Sequence, residues 1–161
     1  PVAGVSKRSD PSTNKTNAME KPMETLDKTP RMKNLNRILW LMQGFLFLAF
    51  GAMGIMKLTM PIDQLAAMLL WPGAVPEYLV RGIGAAELAG AMGVFLPAAM
   101  RMQAWITPYA AMGLATAMIC AVSYHLMLFQ GAMLIPSMAL GLIAGYVAWG
   151  RDKVVPLDGR R

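Results

Sequence analysis

The sequence predicts an all-α integral membrane protein: a four-helix bundle, N-in/C-in, with a short interfacial helix in the first outer loop. Three observations carry that prediction. Of 161 residues, 56% are apolar and only 15% are charged, against about 25% charged in ordinary soluble domains. The charges also collect in the tails, because from Ile38 to Gly150 they are limited to Lys57, Asp63, Glu77, Arg81, Glu87 and Arg101. A soluble fold spreads charge over its whole surface. Finally, four apolar segments approach the roughly 20 residues a helix needs to cross about 30 Å of hydrocarbon.

Residues 1–36 read as a flexible basic tail, rich in Lys, Thr, Asn, Ser and Pro. With no apolar run it cannot bury enough surface to offset its ordering entropy. For the same reason it shows no stretch of the secretory-signal type. The bundle itself is expected over residues 37–151, with spans at about 38–56, 78–96, 104–126 and 132–149. Arg37 and Lys57 bound the first span, Pro97 stops the second, and Gly150 with Arg151 closes the fourth. Residues 152–161 form a short C-terminal tail.

Lys and Arg counts set the orientation, since positive charge is retained on the cytoplasmic side. The first tail carries eight such residues, the link around Arg101 one, and the C-terminal tail four. The opposite loops offer Lys57, with Arg81 just inside the second span. Both termini are therefore expected in the cytoplasm. The same asymmetry accounts for the net charge of +6, and a nucleic-acid partner is not expected, because no basic face sits on a folded domain.

In the first outer loop, residues 61–70 read as a short helix opened by Pro61 and Asp63 and broken by Trp71, Pro72 and Gly73. Its apolar content suits a helix lying in the interface with Trp71 as anchor. The blander reading, a helix that merely covers the bundle mouth, weighs above a substrate gate. Small residues should mark helix contacts, because lipid supplies no hydrophobic force between helices. They form stripes at Ala85, Ala89 and Gly93, at Gly82, Ala86 and Gly90, at Ala111 and Ala115, at Ala117 and Ala121, and at Ser137, Gly141 and Gly145.

Ionisable residues at membrane depth are costly unless paired, so each calls for a reason. Glu87 lies about 14 Å below the outer edge of its span at 1.5 Å per residue, flanked by Gly84, Gly90 and Ala91. Gln43 of the first span approaches it from the cytoplasmic half. Lys57, Arg81 and His125 gather at the outer rim, with His125 about 12 Å above Glu87 by helix rise. Each residue has a bland alternative beside its role as a ligand-binding or proton-linked candidate. Lys57 and Arg81 snorkel to the surface, Glu87 forms a structural ion pair with Arg81, and His125 is an interfacial polar group.

Absences narrow the chemistry. Cys120 is the lone cysteine and His125 the lone histidine, which leaves no redox dithiol, haem pair or conventional zinc site within one chain. No phosphate-binding glycine loop or Ser-His-Asp set appears. Sixteen methionines raise the idea of copper, since thioethers suit Cu(I). They are scattered along every span apart from the group Met53, Met56 and Met60, and read as flexible apolar filler. No metal site is expected.

The segment from Gly51 to Leu58 (GAMGIMKL), the run Gly82 to Ala91 (GIGAAELAGA), Gly113 to Met118 leading to His125, and Ala148-Trp149-Gly150-Arg151 together resemble the DoxX-like family of small four-helix membrane proteins. The resemblance covers about residues 37–151 and omits both tails. It implies the bacterial cytoplasmic (inner) membrane and an association with redox assemblies, some members resembling small subunits of thiosulfate:quinone oxidoreductases. Lys57, Glu87 and His125 carry over as the family's polar markers, and the long basic N-terminal tail departs from the family's usual short start. The expected function is an accessory subunit of a quinone-linked redox assembly, not catalytic by itself. It would have no covalent cofactor, a bound quinone in an outer-half cavity, and electrons supplied by other membrane or redox subunits. The alternatives are a small proton-coupled transporter of an organic molecule, with Glu87 as the coupling carboxylate, and a packing subunit of a larger complex.

Overall fold

The structure, a computed structural model, describes residues 11–100, 102–103 and 105–157, with side chains from Pro30 onward. The chain divides into two units, Pro1–Arg37 and Ile38–Arg161. In the first, the backbone is helical from Pro11 onward, and residues 1–10 of the expected 1–36 tail lie outside the described residues.

Five α-helices are described: α1 (Pro11–Thr59), α2 (Ile62–Leu69), α3 (Glu77–Met100), α4 (Ile106–Met127) and α5 (Gly131–Trp149). A 3₁₀ turn, Pro72–Ala74, follows α2, and a π-helical turn, Gly150–Val154, extends α5. There is no strand among the described residues. Four stretches are long and apolar enough to cross a membrane: Pro30–Thr59, Glu77–Met100, Ile106–Met127 and Gly131–Val154. The protein is thus an all-helical, multi-pass membrane protein.

One boundary differs from the sequence expectation. Helix α3 continues through Pro97 to Met100. Proline removes only its own N–H bond to the carbonyl four residues back, and the neighbouring helix turns carry the chain past it. Helix α5 likewise contains Pro136 and ends at Trp149, where the π-helical turn begins that the Val155 N–H closes on the Gly150 carbonyl.

Burial follows a heptad-like spacing. On α1 the buried positions are Leu39, Gln43, Leu46, Phe50, Gly54 and Lys57, with Gly51 beside Phe50. On α3 they are Val80, Gly84, Glu87, Ala91, Val94 and Ala98, and on α4 Thr107, Ala111, Leu114, Met118 and His125. Steps of three and four put one stripe of each helix inward, the seam along which helices cross at shallow angles. The opposite stripes are apolar and exposed, as with Leu41, Leu48, Ile119 and Leu142, which is the surface lipid requires. Helix α5 buries Ala144, Val147 and Ala148 but nothing in its first half.

All four Trp and all four Tyr residues lie near the ends of the membrane-crossing stretches or in the loop between the first two. Trp40, Trp105, Tyr109, Tyr146 and Trp149 cluster at one end of the bundle, and Trp71, Tyr78 and Tyr124 at the other. That is the distribution of two interfacial aromatic belts. Gln43 bonds to Val94 while Lys57 bonds to Glu87, so α1 and α3 run antiparallel.

Candidate functional site

The most polar place in the membrane-spanning unit is built where α1 and α3 come closest. Gly54 and Gly84 set that approach. A Cβ on Gly54 would lie 2.8 Å from the Gly84 carbonyl oxygen and 2.9 Å from the Leu88 nitrogen. One on Gly84 would lie 2.7 Å from the Lys57 Cβ. Only glycine leaves room for backbone against backbone here, and the gap it opens admits the Lys57 side chain. Its ammonium turns towards α3 and donates to both carboxylate oxygens of Glu87, at 2.5 and 2.6 Å. Both residues are buried, Lys57 at 5% exposure and Glu87 at 4%.

The loop after α2 reaches the Lys57 end of the pair. Trp71 stands with its ring centroid 5.6 Å from the Lys57 ammonium, within cation–π range. Leu65 of α2 and Pro72 of the 3₁₀ turn are fully buried. Arg81 ties the end of α1 to α3. Its Nη1 donates to the backbone carbonyls of Lys57 and Met60, at 2.6 and 2.8 Å, and its Nε and Nη2 donate to Glu77, at 3.2 and 2.9 Å. The terminal carbonyls of a helix lack partners within it, and Arg81 supplies them.

The structural ion pair weighed for Glu87 exists, but its partner is Lys57 rather than Arg81. Arg81 bonds Glu77 and the α1 carbonyls instead. Gln43, expected to approach Glu87, lies at the other end of the bundle. Its Nε2 donates to the Val94 carbonyl at 2.8 Å, and its Oε1 accepts from Arg151 Nε at 2.7 Å. The 14-residue separation of Gln43 and Lys57 along α1 is about 21 Å at helical rise, which explains the miss. His125 is buried at the end of α4. Its Nδ1 lies 2.9 Å from Gln130 Oε1 in the α4–α5 turn, an arrangement that puts the ring proton on Nδ1. Of the sequence-chosen set, the structure therefore joins Lys57, Glu87 and Arg81, and places His125 and Gln43 in separate local networks.

Sequence reasoning passed over Arg151. Taken as the charge that closes the fourth span, it is 2% exposed, with its guanidinium carbon 5.4 Å from the Trp40 ring centroid. The signal was Gly150 just before it. A Cβ there would lie 2.7 Å from Leu39 Cδ2, so glycine lets α5 close on α1, and the π-helical turn rotates the next residue inward. Such turns are frequent at functional sites.

An apolar groove of about 600 Å³ runs between α4 and α5, lined by residues that include Met118, Ile119, Ser137, Gly141, Gly145 and Trp149. Both serine hydroxyls that border it fold back on their own helices, Ser123 to the Ile119 carbonyl and Ser137 to the Met133 carbonyl. Among the described residues no group of three or more His, Cys, Asp or Glu side chains is placed to hold a metal ion.

The model of the DoxX-like family matches residues 41–150. No curated protein and no solved structure matches the chain.

Proposed function

This chain belongs to the DoxX-like family, and on that premise we propose that it is an accessory membrane subunit of a quinone-linked redox assembly, with a quinone head group bound beside Lys57 and Glu87. The observation that carries the reading is the buried ion pair itself. Two charges taken out of water gain little over well-packed apolar side chains, and ionisable residues at membrane depth usually serve function. The pair fits a quinone. Ammonium has three N–H donors, of which two are directed at Glu87, and a third suits a quinone carbonyl acceptor under the flat face of Trp71. A quinone would supply the electron-carrying chemistry and Lys57 with Glu87 a place for the accompanying proton, while a partner subunit of the bacterial inner membrane would supply electrons.

In this reading the Lys57 end of the bundle faces the outer side and both termini the cytoplasm, as the distribution of Lys and Arg indicates. A reporter fused after Leu157 reads the orientation of the C-terminus.

The binding experiment uses the chain in nanodiscs, titrated with a short-tailed benzoquinone while tryptophan fluorescence is followed. Saturable quenching is expected, lost in the double variant Lys57→Met/Glu87→Leu and reduced in Trp71→Phe. Saturable binding that is unchanged in the double variant, or no binding at all, overturns the quinone site.

A second reading, a packing subunit of a larger complex, draws on the open groove between α4 and α5, where Gly145 has nothing within 4 Å of an added Cβ. Loss of complex assembly on Gly145→Leu, with the quinone site intact, would favour it.

A further inference from the structure

Helix α2 ends in an unusual backbone. Leu70 has φ 67° and ψ −42°, and the Trp71 N–H bonds the Leu69 carbonyl at 2.8 Å. A two-residue hydrogen bond closed around a positive-φ residue is the rare, strained form of the γ-turn. Leucine gains nothing from that conformation. No side-chain hydrogen bond is available to it, and at positive φ its Cβ crowds the following carbonyl oxygen. Residues held this way persist where the surroundings over-determine them, and they cluster at clamps and switches.

The surroundings explain what holds Leu70. Just before it, its own N–H bonds the Ala66 carbonyl at 3.0 Å, so α2 runs to its last turn without fraying. Just after it, Trp71 lies against the Lys57 ammonium and Pro72 is buried. Leu65, on the inward face of α2, has no exposed surface. The γ-turn therefore reverses the chain between two anchored pieces, Leu65 on one side and Trp71–Pro72 on the other. Of the two, Trp71 is the piece that lies over the Lys57 end of the Lys57–Glu87 pair.

We propose that residues 60–76 form a hinged lid, latched by Trp71 on the Lys57 ammonium and sprung by the strained γ-turn at Leu70, which opens to admit water and small ligands to the Lys57–Glu87 pair. Opening releases the strain at Leu70 and breaks the cation–π contact. Closing restores the contact and buries Leu65. The two terms oppose each other, which is what lets a lid of this size move. Arg81, bonded to the Met60 carbonyl, fixes the root of the lid on the bundle, so motion is confined to residues 61–76. The inference extends the reading of the pair as a ligand site, but its test uses no quinone and can fail independently of it.

The experiment measures thiol labelling in detergent with a water-soluble maleimide. The parent is the full chain carrying Cys120→Ser, which removes the exposed native thiol, and Leu65→Cys as the reporter on the buried face of the lid. Ala74→Cys in the same Cys120→Ser background is the exposed control. Labelling at position 65 is expected at least tenfold slower than at position 74. Added to the reporter chain, Leu70→Val should speed labelling roughly tenfold, since a β-branched residue tolerates positive φ worse than leucine. Leu70→Gly should slow it severalfold, since glycine takes that conformation without strain. Trp71→Ala should speed it by releasing the latch. Loss of the Leu70 side chain alone would move the Val and Gly variants in the same direction, so opposite signs are the signature of the hinge. Equal rates at positions 65 and 74, or Val and Gly changes of the same sign, overturn the lid. Hydrogen exchange of amides 66–71 in the Leu70→Val and Leu70→Gly chains, without the cysteine reporter, must show the same opposite order.

Discussion

Arg81 and Lys57 are bonded through the lysine's backbone: Arg81 Nη1 donates to the Lys57 carbonyl at 2.6 Å, while the Lys57 side chain reaches Glu87. Lys57 is thus held twice by α3, at its backbone by one residue and at its ammonium by another six positions further along. The first bond caps a helix end, and the second neutralises a charge in a dry place. Together they fix where the ammonium sits without relying on the apolar packing that lipid makes ineffective between helices.

That double hold predicts an asymmetric mutational pattern. Glu87→Gln leaves the Lys57 ammonium buried without its counter-charge and should cost about 3–5 kcal/mol, whereas replacing both by apolar residues of similar size should come out near neutral. Thermal unfolding in detergent of Glu87→Leu, Lys57→Met and Lys57→Met/Glu87→Leu closes the cycle, with Glu87→Gln measured beside it. Adding Arg81→Gln to Glu87→Gln should not rescue it, because Arg81 does not neutralise Glu87. Rescue would show that the two groups share a charge network after all.

The close approach of α1 and α3 predicts which glycines matter. Gly54→Ala drives a methyl into the Gly84 carbonyl and the Leu88 nitrogen, and Gly84→Ala into the Lys57 Cβ. Backbone atoms cannot rotate aside, so each change should cost about 1–3 kcal/mol, the usual range for overpacking. Gly82→Ala and Gly113→Ala meet nothing within 4 Å and should be neutral or stabilising by up to about 1 kcal/mol, the helix-propensity difference. Melting temperatures of the four variants in one detergent separate the two classes. Equal effects in all four would mean that α1 and α3 do not pack backbone to backbone.

Spans, helix count and the short loop helix were legible because hydropathy and length fix them, and both are properties of a segment. Which face of a helix points inward is a property of the neighbours, and there the sequence was right only in part. Of the stripes Ala85/Ala89/Gly93 and Gly82/Ala86/Gly90, Gly90 and Gly93 do face α4, where an added Cβ would lie 2.6 Å from Leu114 Cδ2 and 2.8 Å from Ala110 Cβ. The other four residues are exposed, and the buried stripe of α3 runs through Gly84, Glu87 and Ala91. Small side chains are frequent on both sides of such helices, so their presence does not select a side. Lys57, Glu87 and Arg81 were found because charge at membrane depth is conspicuous. Their pairing was not, since α1 and α3 register through Gly54 and Gly84, and nothing in either segment alone states that alignment. Arg151 was missed because a cation after the last apolar residue normally ends a span in water. The π-helical turn that carries it inward has no sequence signature beyond the glycine.

Arg151 supports the last prediction. Gln43 is fully buried and uses both ends of its amide, the Nε2 donating to the Val94 carbonyl and the Oε1 accepting from Arg151. It therefore links α1, α3 and the end of α5 in one network. Gln43→Leu keeps the size but removes both bonds, taking from Arg151 its acceptor on α1 and from the Val94 carbonyl its donor on α1. Unmade bonds to buried groups cost about 1–3 kcal/mol each, more where one is charged. Gln43→Glu keeps an acceptor for Arg151 and adds a full counter-charge beside it, but loses the donor to Val94. If the network is what closes this end of the bundle, Gln43→Leu should lower the melting temperature clearly, and Gln43→Glu should lower it less. Arg151→Lys should resemble Gln43→Leu, because lysine lacks the planar fork that donates to Gln43 while lying over the Trp40 ring. Amide exchange along residues 144–154 should rise in Gln43→Leu and Arg151→Lys and stay near the parent level in Gln43→Glu. A uniform response of all three variants would mean that the packing of Leu39 against Gly150, and not the polar network, holds α5 to α1.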